Sequence, residues 1–236
     1  MRLVFAAAMV TTFLASSVAT ADVIVQQERR TGGAQNGEGG LTSTQDNRNP
    51  PLAPNSRSAD DFTLPGTAPS WTNFTFVFQV AFQTFSSPFS DVRFELRNDN
   101  GGVPADDPFF EIMDYDSFVN TGDFLLGTFP IYELTFTAPS LSLPGSGTFW
   151  ASPVGYPDSQ GQIQMFWPAA PYENGEQGHF RGADFGFPAW TPYSLVDADG
   201  FTADFTMTIT ADPVPAPGAI ALLGLAGLAS RRRRRA

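Results

Sequence analysis

The chain has 236 residues, with 24 acidic side chains against 13 arginines, no lysine and no cysteine. Disulfides and cysteine-based zinc or redox centres are therefore excluded. Arg2 and the run 231–235 lie in the terminal segments, so the rest of the chain sets seven arginines against all 24 acids, a net charge of −17 that argues against nucleic-acid binding.

Residues 1–21 read as a secretory leader. Arg2 supplies the basic n-region, residues 3–18 are apolar apart from a few Ser and Thr, and Ala19-Thr20-Ala21 is a small-x-small cleavage site. The expected first residue of the mature chain is Asp22. A first transmembrane helix is the alternative, and the Ser and Thr content and the cleavage site speak against it. Residues 22–58 read as an N-terminal strand followed by a flexible arm. From 28 to 58 the chain is polar and rich in Gly, Pro and Asn, with little to offer a core.

Strand signals begin near Asp60. Phe74, Phe76, Phe78, Val80 and Phe82 alternate with Thr75, Val77, Gln79, Ala81 and Gln83, a period of two that buries one face of a sheet. Val92, Phe94 and Leu96 alternate with Arg93, Glu95 and Arg97, and the turn at 98–102 follows. Tyr132, Leu134 and Phe136 form a further row, residues 145–153 another strand, and Ile163, Met165 and Trp167 another inward row. The last strand has the cleanest pattern: Phe201, Ala203, Phe205, Met207 and Ile209 against Thr202, Asp204, Thr206, Thr208 and Thr210. Twenty-three Phe favour sheet, while 20 Pro and 22 Gly favour many turns over long helices. The reading is all-β: a single antiparallel β-sandwich over 59–212, jelly-roll or immunoglobulin-like.

Few residues in this body suggest chemistry. Asp197 and Asp199, in Asp197-Ala198-Asp199-Gly200, look like the start of a calcium loop. The later Glu that a full loop needs is missing, and a turn into the last strand accounts for the pattern. Asp106-Asp107 and Asp114-Tyr115-Asp116 read as solvated loop charge. His179 is the only histidine, with Ser159 and Asp184 near it in sequence, but nothing resembles a nucleophile elbow. Trp150, Trp167, Trp190 and Tyr193 could form a sugar-stacking platform, although Trp150 and Trp167 occupy strand positions that suit a core. Asn73-Phe74-Thr75 matches a glycosylation acceptor at a strand start and is discounted.

After the breaker-rich segment Val214-Pro215-Ala216-Pro217-Gly218, residues 219–229 read AIALLGLAGLA, eleven positions without a polar side chain. Ser230, Arg231, Arg232, Arg233, Arg234, Arg235 and Ala236 follow. As an α-helix, residues 214–230 would span roughly 25 Å, the short limit for a bilayer core that takes about 20 residues. The arginines would stay cytoplasmic and leave the body outside. A C-terminal helix packed on the body is the alternative, but such a helix should be amphipathic and this one is apolar all round.

This tail resembles the PEP-CTERM class of bacterial sorting signals, in the variant seen in planctomycete-type bacteria, with Ala216 where the family name has Glu. The resemblance covers about residues 213–236. It implies recognition and removal of the tail by an exosortase, a membrane transpeptidase-like enzyme; the departure at Ala216 leaves a permanent anchor, or reading by a different sorting enzyme, as alternatives. The body is similar to a recurrent domain of tail-bearing exported proteins. The similarity is carried by Ala59-Asp60-Asp61-Phe62, Trp71, Phe94-Glu95-Leu96, Asn100-Gly101-Gly102-Val103-Pro104 and Gly147-Thr148-Phe149-Trp150. It implies a sandwich and supplies no activity.

The expectation is an exported surface or matrix protein with a non-catalytic body. It would meet the translocon, signal peptidase, an exosortase-like enzyme, the membrane through its C-terminal helix, and a glycan or matrix ligand. A carbohydrate-binding module, with or without calcium, is the second reading, and a secreted hydrolase the third.

Overall fold

The computed structural model describes residues 21–31, 38–48, 51, 54–84, 89, 91–158, 162–172 and 175–216. Ala19, Ser159, Pro217, Gly218, the apolar run 219–229 and Arg231 to Arg235 lie outside the described residues. Thirteen strands follow in chain order: β1 Asp22–Gln27, β2 Gly40–Thr42, β3 Arg57–Thr84, β4 Asp91–Asn98, β5 Phe110–Ile112, β6 Ser117–Leu125, β7 Phe129–Ala138, β8 Leu143–Tyr156, β9 Gln162–Pro171, β10 His179–Gly182, β11 Phe187–Pro192, β12 Ala203–Phe205 and β13 Met207–Val214. Among the described residues, a 3-10 turn at Ala183–Phe185 lies between β10 and β11, and one α-helical turn, α1 Tyr193–Val196, precedes β12. The ladders between these strands are all antiparallel, as the turn-rich alternating pattern requires.

The 28-residue β3 organises the molecule. Its first part pairs with β8 (Asp60↔Ala151 to Pro65↔Ser146) and with β10 (His179↔Ala59). Its second part pairs with β13 on one side and β7 on the other, then with β9 at its end. Between the two parts the register slips from Pro65 to Ser70, and Gly66 takes a φ of 71° that residues with a Cβ rarely adopt. The strand turns a corner there, and the two parts lie in opposite layers.

The layers meet through aromatic side chains. Phe94 of β4, in the first layer, packs on Phe76 and Phe78 of the second, with ring centroids 4.3 and 5.4 Å away. Phe62 of the first layer sits 6.3 Å from Phe76. β4 and the second part of β3 share no ladder, so this is face-to-face packing of a sandwich. The inward rows expected at Phe74 to Phe82, Val92 to Leu96 and Leu134 to Phe136 are buried. Each such side chain stabilises by about 1.5–3 kcal/mol on burial. Beyond the main core, Ala81, Leu125 and Ile131 form a small cluster under Phe129 and Phe166.

Three expectations are corrected. Where it is described, the polar arm is woven into the body: β2 pairs with β9 (Leu41↔Trp167), and Thr42, Ser43, Thr44, Ser56 and Ser58 are buried. Their hydroxyls make this feasible, since Ser58 Oγ donates to the Thr42 carbonyl at 2.9 Å and Ser56 Oγ to Thr42 Oγ1 at 2.8 Å. The last strand is two strands: β12 pairs with β9, and β13 with β1 and β3, with Thr206 at the step. Tyr132, Ile163 and Phe201, expected to face inward, are half-buried, while Met165 and Trp167 enter the core as expected.

Candidate functional site

The acidic turn at Asp197 and Asp199, weighed as a calcium loop and read as a turn, is a closed turn. Asp197 Oδ2 accepts the Phe201 N–H at 3.0 Å, the Asp197 carbonyl accepts the Gly200 N–H at 3.1 Å, and Asp199 is exposed. Among the described residues no group of three or more His, Asp or Glu is placed to hold a metal ion. Asp116 accepts the Thr137 N–H at 2.6 Å, and Asp106 pairs with Arg181 at 2.7 Å. These carboxylates secure loops.

His179 is buried, edge-on to Trp150 at 4.9 Å between centroids, with Nδ1 2.8 Å from the Gln177 carbonyl. Burial lowers its pKa and favours the neutral ring. Asp184 is exposed and accepts the Asn55 N–H. The aromatic platform does not assemble either, because Trp150, Trp167 and Tyr193 are all buried. Trp150 donates to Asp99 Oδ1 at 2.9 Å and Trp167 to the Thr206 carbonyl at 2.8 Å. Burial, with Asp197 nearby, pushes the Tyr193 hydroxyl up to about 12.

Two polar clusters that were not singled out in the sequence hold most of the buried charge. The first joins segments far apart in the chain. Asp60 and Asp204 are both fully buried. Asp60 accepts the Asp61 N–H at 3.0 Å and the Phe205 N–H at 2.7 Å, tying β3 to β12. Asp204 accepts the Gln27 side-chain amide at 3.0 Å, which ties in the end of β1. Asp61 accepts the Glu176 N–H at 3.0 Å, and a Cβ on Gly175 would lie 2.0 Å from Asp61 Oδ2, so this loop can close over the carboxylate only as glycine. Asp99 accepts the Gly102 N–H at 3.0 Å as well as the Trp150 indole N–H. Burial, with Asp204 nearby, raises the Asp60 carboxyl well above its usual range. Burial also raises Asp61 to about 7, although the Glu176 N–H opposes the shift. Chemically the cluster supplies backbone caps and carboxyls that take up protons readily.

The second cluster lies on the face of β4 turned away from Val92, Phe94 and Leu96. Glu95 and Arg97, expected to face solvent, are buried. Arg97 Nη2 donates to Glu95 Oε2, and its Nη1 donates to the carbonyls of Ala105 and Asp106. Arg57 donates to Glu95 from the other side at 3.2 Å. Trp190 lies beneath two cations, Arg181 at 4.9 Å and Arg97 at 5.4 Å from its ring centroid. The chain from β10 to β11 brings Arg181 and Trp190 over this face, which is why the alternation of β4 misjudged its exposure. The adjacent acids at 60–61 and the Arg-Glu-Arg row of β4 were the only available sequence signals, and neither discloses burial by distant strands.

An open polar groove of about 340 Å³ runs over the outer face of β1, β13, β3 and β7, lined by Gln26, Gln27, Gln79, Glu133 and Thr208 among others. Among the described residues no helix is long and apolar enough to cross a membrane.

Fold and clusters together define a class: an antiparallel β-sandwich with a charged, internally bonded face. In comparisons with known proteins, no family model, no curated protein and no solved structure matches the chain.

Proposed function

We propose that this is an exported surface or extracellular-matrix protein. Its sandwich has no catalytic role, and its C-terminal tail holds it at the membrane, at least until a sorting enzyme acts. The observation that carries the reading is the tail itself: eleven apolar residues behind a Pro hinge and ahead of five arginines, on a body of net charge −17. The tail's resemblance to the PEP-CTERM class adds recognition by an exosortase-like enzyme.

The limits of the sheet agree with this reading. β1 opens at Asp22, next to the expected cleavage site, and β13 closes at Val214, the first residue of the hinge. Asp60, Asp61, Asp99, Asp116 and Asp197 accept backbone N–H groups and Glu95 and Asp106 pair with arginines, which favours a binding or structural body over a catalytic one. The test is the intact mass of the protein from its native envelope fraction. A chain beginning at Asp22 that fractionates with membranes, or one lacking about two dozen C-terminal residues, is the expected result. A chain retaining Met1 and Ala236 and free in the cytoplasm would overturn the proposal.

A further inference from the structure

We propose that the polar groove on the β1, β13, β3 and β7 layer is a saccharide-binding site for a neutral, hydroxyl-rich glycan. The site lies wholly before residue 209 and is independent of the tail. An exchange of strand partners creates it. β13 runs beside β3 only as far as Met207↔Phe78, and β9 takes over the same edge at Ala81↔Phe166, while β7 holds the other edge through Ala81. Gln79 sits at this seam. Thr206, at the step between β12 and β13, donates its hydroxyl to the Gln79 carbonyl at 3.2 Å. Past β1, the Arg30 N–H reaches the Ala169 carbonyl of β9 at 2.9 Å, so the chain at 28–31 flanks the seam. Arg29 closes one wall, donating to Glu38 at 3.2 Å and reaching Asp123 of β6 at 3.5 Å.

The side chains that face the groove are uncommitted. Thr208 stands between Gln26 and Val77, and Gln79 stands beside Glu133, so two outward rows follow each other roughly 7 Å apart along the strands. Among the described residues, none bonds the side chains of Gln26, Gln79, Glu133 or Thr208. The carboxylates of the two buried clusters, by contrast, are spent on backbone and arginine. At the end of the groove Gln27 is 5% exposed. Its amide N–H donates to Asp204, and its enclosed Oε1 accepts no bond from any described residue. A hydroxyl donor at this end would remove the cost that a buried, unpaired acceptor carries.

This chemistry selects the ligand. Amides and hydroxyls both donate and accept, as sugar hydroxyls do. Val77, half-buried in the floor, offers an apolar spot to sugar C–H groups. Glu28, Asp123 and Glu133 outnumber Arg29, so uronic acids and sulfated sugars are repelled. Among the described residues no aromatic ring lines the groove, which leaves recognition to hydrogen bonds. Its volume of about 340 Å³ is near the lower end of the roughly 300–1,000 Å³ of ligand sites, enough for a short stretch of a glycan chain.

The test is affinity electrophoresis of the full-length protein in a polyoxyethylene detergent, which brings no sugar headgroup. Gels are cast with dextran, mannan, xylan or β-1,3-glucan, and with polygalacturonate as the anionic counterpart. At least one neutral gel should retard the protein, and polygalacturonate should not. The double variant Gln79→Ala, Thr208→Val should bind about tenfold more weakly in the retarding gel, the loss expected for two hydrogen bonds. Trp190→Leu, in β11, should bind as before. Retardation in no neutral gel, retardation by polygalacturonate alone, or binding that survives the double variant would overturn the site. Should the double variant lose its cooperative melting transition, Glu133→Ala takes its place, and the same outcomes decide. The reading of the tail stands or falls separately, on the intact mass.

Discussion

Asp61 links a single environment to bulk behaviour. An unfolded aspartate titrates near about 3.9, whereas burial holds Asp61 near 7 in the folded state. The folded protein therefore binds that proton more tightly, and the resulting stabilisation is full below the unfolded pKa and is lost as pH rises through about 7. Asp60, raised by burial beside Asp204, acts in the same direction. The urea midpoint should fall between pH 4.5 and pH 8, and Asp61→Asn should flatten the slope. A midpoint that rose over this range would refute the described environment. Arg97 gives a second residue-level prediction. Arg97→Met leaves Glu95 buried with only Arg57 as counter-ion, so the loss should sit near the lower end of the roughly 3–5 kcal/mol expected for breaking a buried pair. Combining it with Glu95→Gln should recover part of that loss in a denaturation-based double-mutant cycle.

At the scale of elements, the corner of β3 depends on close backbone approach. A Cβ on Gly145 would lie 1.8 Å from the Ala68 carbonyl oxygen, and the Gly145 carbonyl accepts the Trp71 indole N–H at 3.2 Å. Neither backbone can yield cheaply, so Gly145→Ala should cost about 3 kcal/mol or more, read from the guanidinium midpoint. A neutral outcome would mean that the corner is looser than described. By contrast the aromatic rows are ordinary cavity sites, and Phe76→Ala should cost about 3–5 kcal/mol by the same measurement. Those rows were legible in the sequence, because a period of two over Phe74 to Phe82 admits only one buried face. The break at Thr206 was not. The alternation runs straight through it, and only the competing partners β9 and β3 divide the segment into β12 and β13.

For the molecule as a whole, closure depends on the first strand. β1 covers the edge of β13, and Gln27 at its end bonds Asp204. A chain lacking residues 22–27 should expose β13 as an unpaired edge and leave a buried carboxylate without its amide partner. It should scatter light at concentrations where the intact body stays monomeric, and a clear monomeric solution of the shortened body would count against this account. Pairing residues 22–27 with 207–211 also means that the sheet closes only after nearly the whole body is available, which places refolding on the slow, millisecond-to-second scale of non-local β topologies.

The sequence by itself determined the all-β class, the inward aromatic rows and the polarity of the two termini, because periodicity and charge are local properties that need no partner. Tertiary structure alone decided which polar residues are buried. Asp60, Asp204, Glu95 and Arg97 each sit in stretches whose pattern reads as solvent-facing or neutral. They are enclosed by β12, β1, β10 and β11, strands whose arrival depends on contacts across most of the chain.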